Sequence, residues 1–322
     1  MAILASSVNS MLIRIFRRSF AVMLVATIAV ILLPGYPALA KDPAVYDSAE
    51  AAAQAILDAL AKADQDAILA VLGDKYADQL FTDELSRERD TYKRVVAAAK
   101  EVMQLRADDD LTRVMVIGKD AWPMPIPIVK TDAGWVFDTA AGIDEMIARH
   151  IGENELATIE TLRAFVGAQT QYASEDRDGD EVLEYAQKVI STEGKKDGLY
   201  WQVASADEDV SPFGPFIAEL PDYVHDRTKG EPYMGYYYRI ITRQGDNPPG
   251  GHYDYVINGN MIAGFAAIAV PAEYTETGVM SFMISHQGKL YEKDLGEDTA
   301  LVAAGIQDYN PDDSWTLVKD EN

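Results

Sequence analysis

The 322-residue sequence contains no cysteine. That excludes a disulfide framework, a thiol nucleophile and any cysteine-based zinc site. Stability therefore rests on ordinary apolar cores, and the chain is long enough for two. Histidine is nearly as scarce: His150, His225, His252 and His286 are scattered, and no pair has metal-ligand spacing on one helix. His225-Asp226 beside Arg227 is the most site-like, because a carboxylate can orient an imidazole for proton transfer; a surface-loop role is the alternative. Ser285 and His286 are chain neighbours, and neighbours along a strand point to opposite faces, so they make no case for a serine nucleophile. There is no nucleophile elbow, phosphate loop or dinucleotide fingerprint, and no catalytic motif to make the chain an enzyme. Basic residues are also few, 28 against 52 acidic ones. Three of the basic residues fall in the first forty positions, which leaves (28 − 3) − 52 = −27 formal charges on the rest. Such a surface repels nucleic acid and anionic lipid, whose recognition needs clustered Lys and Arg. Cations, basic proteins and neutral molecules remain as partners.

Only one long apolar run is present, Phe20 to Leu33, preceded by Arg14, Arg17 and Arg18. Pro34 and Gly35 break it, and Ala38-Leu39-Ala40 supplies the small-x-small pattern read by signal peptidase. The run is shorter than the roughly 20 residues that a spanning helix needs. Residues 1–40 are expected to be a removable signal peptide, with an uncleaved anchor as the alternative. Arg17-Arg18-Ser19-Phe20 resembles the twin-arginine pattern, while the strongly apolar run suits general secretion. The mature chain is expected in the periplasm or outside the cell, with no stable membrane insertion.

From residue 41 the reading is α+β. Asp47-Ser48-Ala49-Glu50 has the form of a capping box. Ala52, Ile56, Leu60 and Ala63 follow at helical spacing, and a second helix runs through Ile68, Leu69 and Leu72 to Gly73. Leu85, Tyr92, Val95, Val96 and Ala99 mark a third. Strands are expected at 114–117, 126–129 and 134–137, with Asp132-Ala133-Gly134 as a hairpin turn. The prolines at 123, 125 and 127 place the middle strand at a sheet edge. Helices followed by a curved antiparallel sheet resemble the nuclear transport factor 2-like (cystatin-like) roll, a fold that often encloses an apolar pocket. Trp122 and Trp135 would then line it or simply pack in the core, and Asp120 or Asp138 would be its acid/base carboxylates.

A second unit, 151–322, opens with Asn154 as a helix cap and Leu156, Ile159, Leu162 and Val166 as an apolar stripe. A short helix over 182–190 and a loop-rich stretch over 191–232 come next. Strands at 235–241, 253–257, 263–270, 279–285 and 289–292 follow, with Asn258-Gly259 as a tight turn. A helix at 297–305 and a strand near Trp315 close the chain. Tyr236 and Tyr238 share one strand face and Tyr237 takes the other, which gives either a covered aromatic face or a surface for glycan or protein contact.

Phe213-Gly214-Pro215, Pro232-Tyr233-Met234-Gly235-Tyr236-Tyr237-Tyr238-Arg239-Ile240, Asp254-Tyr255-Val256-Ile257-Asn258-Gly259 and Lys293-Asp294-Leu295-Gly296 resemble an exported bacterial family, that of the domain of unknown function 2950. Asp120-Ala121-Trp122-Pro123 and Phe137-Asp138-Thr139-Ala140-Ala141-Gly142 extend the likeness over nearly the whole mature chain. The resemblance implies no activity. Asn154-Glu155-Leu156 opening a helix, with the strands Gly235–Tyr238 and Gly278–Phe282, is similar to the heads of type IV pseudopilins. The apolar polymerising helix of a pilin is not joined to this head, so the likeness implies a shared fold and not a filament subunit.

The sharpest local signal is Asp176-Arg177-Asp178-Gly179-Asp180-Glu181-Val182-Leu183-Glu184. Acids at alternate positions around a turn can converge on a hard, oxygen-seeking cation such as Ca²⁺. Asp176, Asp178, Asp180 and Glu184 are the candidate ligands. Glu181 stands where the EF-hand pattern has Gly, and Gln187 where it has the bidentate Glu. A solvated acidic turn capping a helix is the alternative. Together these features suggest a non-catalytic envelope binding or assembly module with a candidate Ca²⁺ site. A small-ligand binder or hydrolase-like enzyme with a pocket in the first unit is the other reading.

Overall fold

The structure is a computed structural model. It describes residues 40–81, 85–202, 210–214 and 232–319. The leader over 1–39 and His225 lie outside the described residues.

Ser48, rather than Asp47, caps the first helix, α1 (Ala49–Lys62): its Oγ accepts from Ala51 N at 3.1 Å. Asp64 caps α2 (Gln65–Leu72) through Asp66 N and Ala67 N. The chain leaves at Gly73 with φ of +79°, where a side chain would meet the Lys41 carbonyl and Pro43. After α3 (Ala77–Leu80) and α4 (Leu85–Glu101), five antiparallel strands follow. These are β1 (Met103–Ala107), β2 (Thr112–Ile117), β3 (Trp122–Pro123), β4 (Ile128–Thr131) and β5 (Gly134–Phe137). The order is β1-β2-β4-β5, with β3 also on β2. The prolines therefore do not mark an edge, since β4 lies between β2 and β5. They interrupt one strand instead: Trp122 and Pro123 pair with Ile117 and Val116, while Ile128 and Val129 take up Arg113 and Thr112 further along the same edge of β2. Ala52, Ile56, Leu60, Ile68 and Leu72 pack on Met115, Ile128 and Phe137, and this core lies between helices and sheet.

Helix α5 (Thr139–Tyr172) runs 34 residues, capped by Asp138 through Ala141 N at 3.1 Å. Residues 150 and 151 sit in its middle. The expected start at Asn154 is therefore corrected: nothing before it breaks the helix, and Gly142 and Gly152 are both tolerated. Asn154 is buried and spends its side chain elsewhere, donating to the Thr277 carbonyl at 2.9 Å. Leu156 is exposed; the buried face is Thr158, Thr161, Leu162, Phe165, Ala168, Gln169 and Tyr172.

Beyond α5 come β6 (Tyr236–Ile241), β7 (Arg243–Gln244), β8 (Tyr253–Asp254), β9 (Val256–Ile257), β10 (Asn260–Met261) and β11 (Ala266–Pro271). The chain ends with β12 (Met280–Ser285), β13 (Leu290–Asp294), α6 (Thr299–Gly305) and β14 (Thr316–Leu317). The main sheet is antiparallel, ordered β14-β13-β12-β11-β6. The β9–β10 hairpin turns at Asn258 and Gly259, both with positive φ (54° and 99°), as the Asn-Gly pair requires. Helix α5 covers one sheet face: Tyr238 Oη donates to Thr158 Oγ1 at 3.1 Å, and Glu155 accepts from Val279 N and Met280 N. The neighbouring Arg239 points the other way, to the Ala303 carbonyl of α6. Tyr236 is fully buried beneath α5 and Tyr237 is 44% exposed, so the tyrosine face is largely the covered one. Among the described residues no helix is long and apolar enough to cross a membrane.

Candidate functional site

The acidic turn leaves the end of α5 under tight local control. Arg177, whose side chain is only 6% exposed, folds inward. Its Nε donates to the Tyr172 carbonyl at 3.2 Å, and its guanidinium lies 5.2 Å from the Trp201 ring and 5.3 Å from that of Tyr172. Drawing Arg177 in leaves Asp176 and Asp178 facing solvent. Gly179 (φ +81°) and Glu181 (φ +68°) then reverse the chain. A glutamate in the left-handed region carries a steric cost of about 1 kcal/mol. Its amide offsets that cost by donating to Asp176 Oδ2 at 2.9 Å, while Gly179 N donates to Oδ1 at 2.8 Å. Those two backbone donors hold the Asp176 carboxyl below the ordinary carboxylate range. Asp180 accepts from Val182 N at 2.8 Å and from Asn260 Nδ2 at 2.7 Å.

One oxygen each from Asp176, Asp178 and Asp180 lies within 4.8 Å of the others, and all three residues are exposed. Ligands at 2.3–2.6 Å from a shared Ca²⁺ are at most about 5 Å apart, so this spacing fits one ion. Glu184 is not in that group. Its Oε2 accepts from Met261 N at 2.9 Å, and partial burial raises its pKa.

The expected short helix over 182–190 is absent, which explains the position of Glu184. The segment is extended, bridged at Tyr185 to Met261 and at Ile190 to Tyr200. Its key is Gln169, fully buried on α5: its Nε2 donates to the Ala186 carbonyl and its Oε1 accepts from Ala186 N, both at 2.8 Å. A side-chain amide thus acts as a strand neighbour, satisfying both backbone groups that helix formation would have used. Gln187 donates to the Gly259 carbonyl at 2.7 Å, so Asp180, Glu184 and Gln187 all tie this stretch to the β9–β10 hairpin.

The other sequence candidates do not assemble. Asp120 is exposed in a surface turn, and Asp138 is committed to capping α5. Trp122 is 46% exposed under the Arg149 guanidinium, and Trp135 lies beside Arg113 and Lys130. Trp122 is thus half exposed, and Trp135 packs partly buried against the first core. His150 lies 3.1 Å from the Asn154 amide within α5. Ser285 and His286 do come together on one cleft, contrary to the alternation argument, because β12 ends at Ser285 and His286 already belongs to the following turn. Gln169, Asn154 and Glu155 were invisible as fastening groups, since their partners lie 17, 123 and 124 or 125 positions away.

No curated protein and no solved structure matches the chain. A family model described as a protein of unknown function (DUF2950) matches residues 43–318, which span both cores, the long helix and the acidic turn. The chain belongs to the DUF2950 family.

Proposed function

We propose that this chain is an exported, non-catalytic binding module of the bacterial envelope whose acidic turn is fixed by Ca²⁺. In finer fold terms, the first half is a cystatin-like roll and the second a pseudopilin-head-like sheet under a long helix. The convergence of Asp176, Asp178 and Asp180 within 4.8 Å carries the reading. These three side chains would hold the ion, and Glu184 stands behind them against the hairpin. Bound Ca²⁺ supplies charge neutralisation for a turn that otherwise crowds like charges. The turn in turn organises the Asn260–Met261 edge of the hairpin, where Leu183, Ile257 and Ile262 are exposed apolar side chains.

Export is supported by the basic, apolar and small-x-small order of residues 1–40. The formal charge of −27 after that segment argues for a protein or glycan partner over nucleic acid. The structural employment of Asp138 as the cap of α5 is what favours a non-catalytic role over an acid/base role for that carboxylate. The test is affinity capture of envelope proteins on the full chain in Ca²⁺ and in chelator. A stoichiometric partner retained in Ca²⁺ and lost both in chelator and with Asp178→Ala supports the reading. Its absence under several growth conditions contradicts it.

A further inference from the structure

A polar cleft lies far along the chain from the acidic turn, at the end of β12. The C-terminal segment forms one wall: Tyr309 N donates to the Arg243 carbonyl and Gly245 N to the Tyr309 carbonyl, so residues 308–310 run beside β7. The Gly/Pro loop forms another wall and is held rigidly. Gln244, 2% exposed, donates to the carbonyls of Pro249 (3.2 Å) and Gly251 (2.7 Å) and accepts from Tyr255 Oη (3.1 Å). Asn310 Oδ1 accepts from Asn247 N at 2.9 Å. The cleft measures about 60 Å³ and also meets Ser285, His286, Lys289 and Tyr291. A water needs some 10–15 Å³ by this measure, so there is room for roughly four to six non-hydrogen atoms.

Its chemistry is one-sided. Acidic residues number 52 in the chain, yet none is among the eleven residues that line this space. Asp308, next to Tyr309, is ion-paired with Arg243. The lining instead carries donor-bearing residues: Lys289, whose carbonyl accepts from Tyr309 Oη, the hydroxyl residues Ser285, Tyr291 and Tyr309, and the amide residues Asn247 and Gln287. Several are weakly engaged. Tyr309 Oη reaches the Lys289 carbonyl only at 3.5 Å and also meets the Ser285 hydroxyl, Asn247 Nδ2 reaches the Asn310 carbonyl at 3.4 Å, and Ser285 Oγ accepts from Gln287 N at 3.4 Å. These distances are the long limit of hydrogen bonding. His286 Nδ1 is buried without a partner, and burial lowers the pKa of this ring, which leaves Lys289 as the cleft's positive charge.

We propose that this cleft binds a small carboxylate group, with Lys289 as its counter-ion and the Tyr309 and Ser285 hydroxyls as donors. The proposal does not depend on the Ca²⁺ reading. The carboxylate comes either from a free short-chain acid or from a peptide C-terminus, and the volume sets the size of what enters.

Ligand-observed NMR on the full chain tests it, at ionic strength held constant with NaCl. The probes are acetate, its neutral isostere acetamide, and acetyl-diglycine with a free or an amidated end. Saturable binding of acetate, at least about tenfold tighter than acetamide and about tenfold weaker in Lys289→Ala, is the expected result. Lys289 is exposed, so this variant leaves the fold intact. Tyr309→Phe, which keeps the buried ring, should weaken binding while the chain stays folded by circular dichroism. Binding of free-ended acetyl-diglycine alone assigns the site to a chain end. Failure of both acids to saturate, equal binding of acetamide, or unchanged affinity in Lys289→Ala overturns the proposal.

Discussion

Replacing Gln169 by leucine removes one side-chain amide and, by the geometry, unfastens a whole segment. Among the described residues, the two 2.8 Å bonds between Gln169 and Ala186 are the hydrogen bonds that satisfy the backbone of residue 186, and both residues are buried. Leucine is of similar volume and a strong helix former, so neither a cavity nor lost propensity enters the cost. What remains is an orphaned N–H and an orphaned C=O, each worth about 1–3 kcal/mol when buried. The gain from a more apolar side chain offsets about 1 kcal/mol. The net loss should be about 3 kcal/mol, a large share of the 5–15 kcal/mol typical of a folded domain. Urea denaturation with a global fit of wild type and variant reads this directly. Hydrogen exchange should show the Ala186 amide, and with it 185–190, opening before the sheet. A loss below about 1 kcal/mol with unchanged exchange at residue 186 would refute the idea that Gln169 holds this segment extended.

Two further outcomes follow from packing and burial. Gly278→Ala sets a methyl against the phenol of Tyr236, which is fully buried and donates to the Met280 carbonyl at 2.8 Å; overpacking there should cost about 2 kcal/mol, measured by thermal or urea unfolding. Tyr172 and Tyr309 are both pushed up to about 12, first by burial, from an ordinary value of 10.0. The neutral phenol is the form that the fold favours, so this stabilisation is complete below pH 10 and is lost as the pH rises through 12. Ultraviolet difference titration should show these tyrosines ionising late and together with unfolding; their full ionisation near pH 10 in a folded chain would contradict the burial.

Features with a local cause were legible in the sequence. The apolar and aromatic runs at 236–241 and 280–285, the Asn258-Gly259 turn and the acids at alternate positions of 176–180 each carry their signal within a few residues. Features fixed by distant partners were not. Val182, Ala186, Val189 and Ile190 carry a helix-like spacing, and the fold overrides it because Gln169 supplies the hydrogen bonds of a strand. Asn154 has the chemistry of a cap, but the helix begins sixteen positions earlier by the cap of Asp138 and leaves Asn154 to reach across to Thr277. Proline argues for an edge only if the strand is continuous; here Pro123, Pro125 and Pro127 split it, and β4 regains a central place after the break. The cleft at Lys289 draws on three stretches between 244 and 311, and only its proline-rich rim is visible in one-dimensional reading.

The acidic turn is the centre of the functional account, and calorimetric titration of Ca²⁺ into the chelator-treated full chain tests it most directly. The account predicts one site per chain, abolished in Asp178→Ala, with a rise in the unfolding temperature of wild type alone. The absence of both binding heat and stabilisation, or binding that persists undiminished in Asp178→Ala, would contradict it and reduce Asp176, Asp178 and Asp180 to a solvated cap.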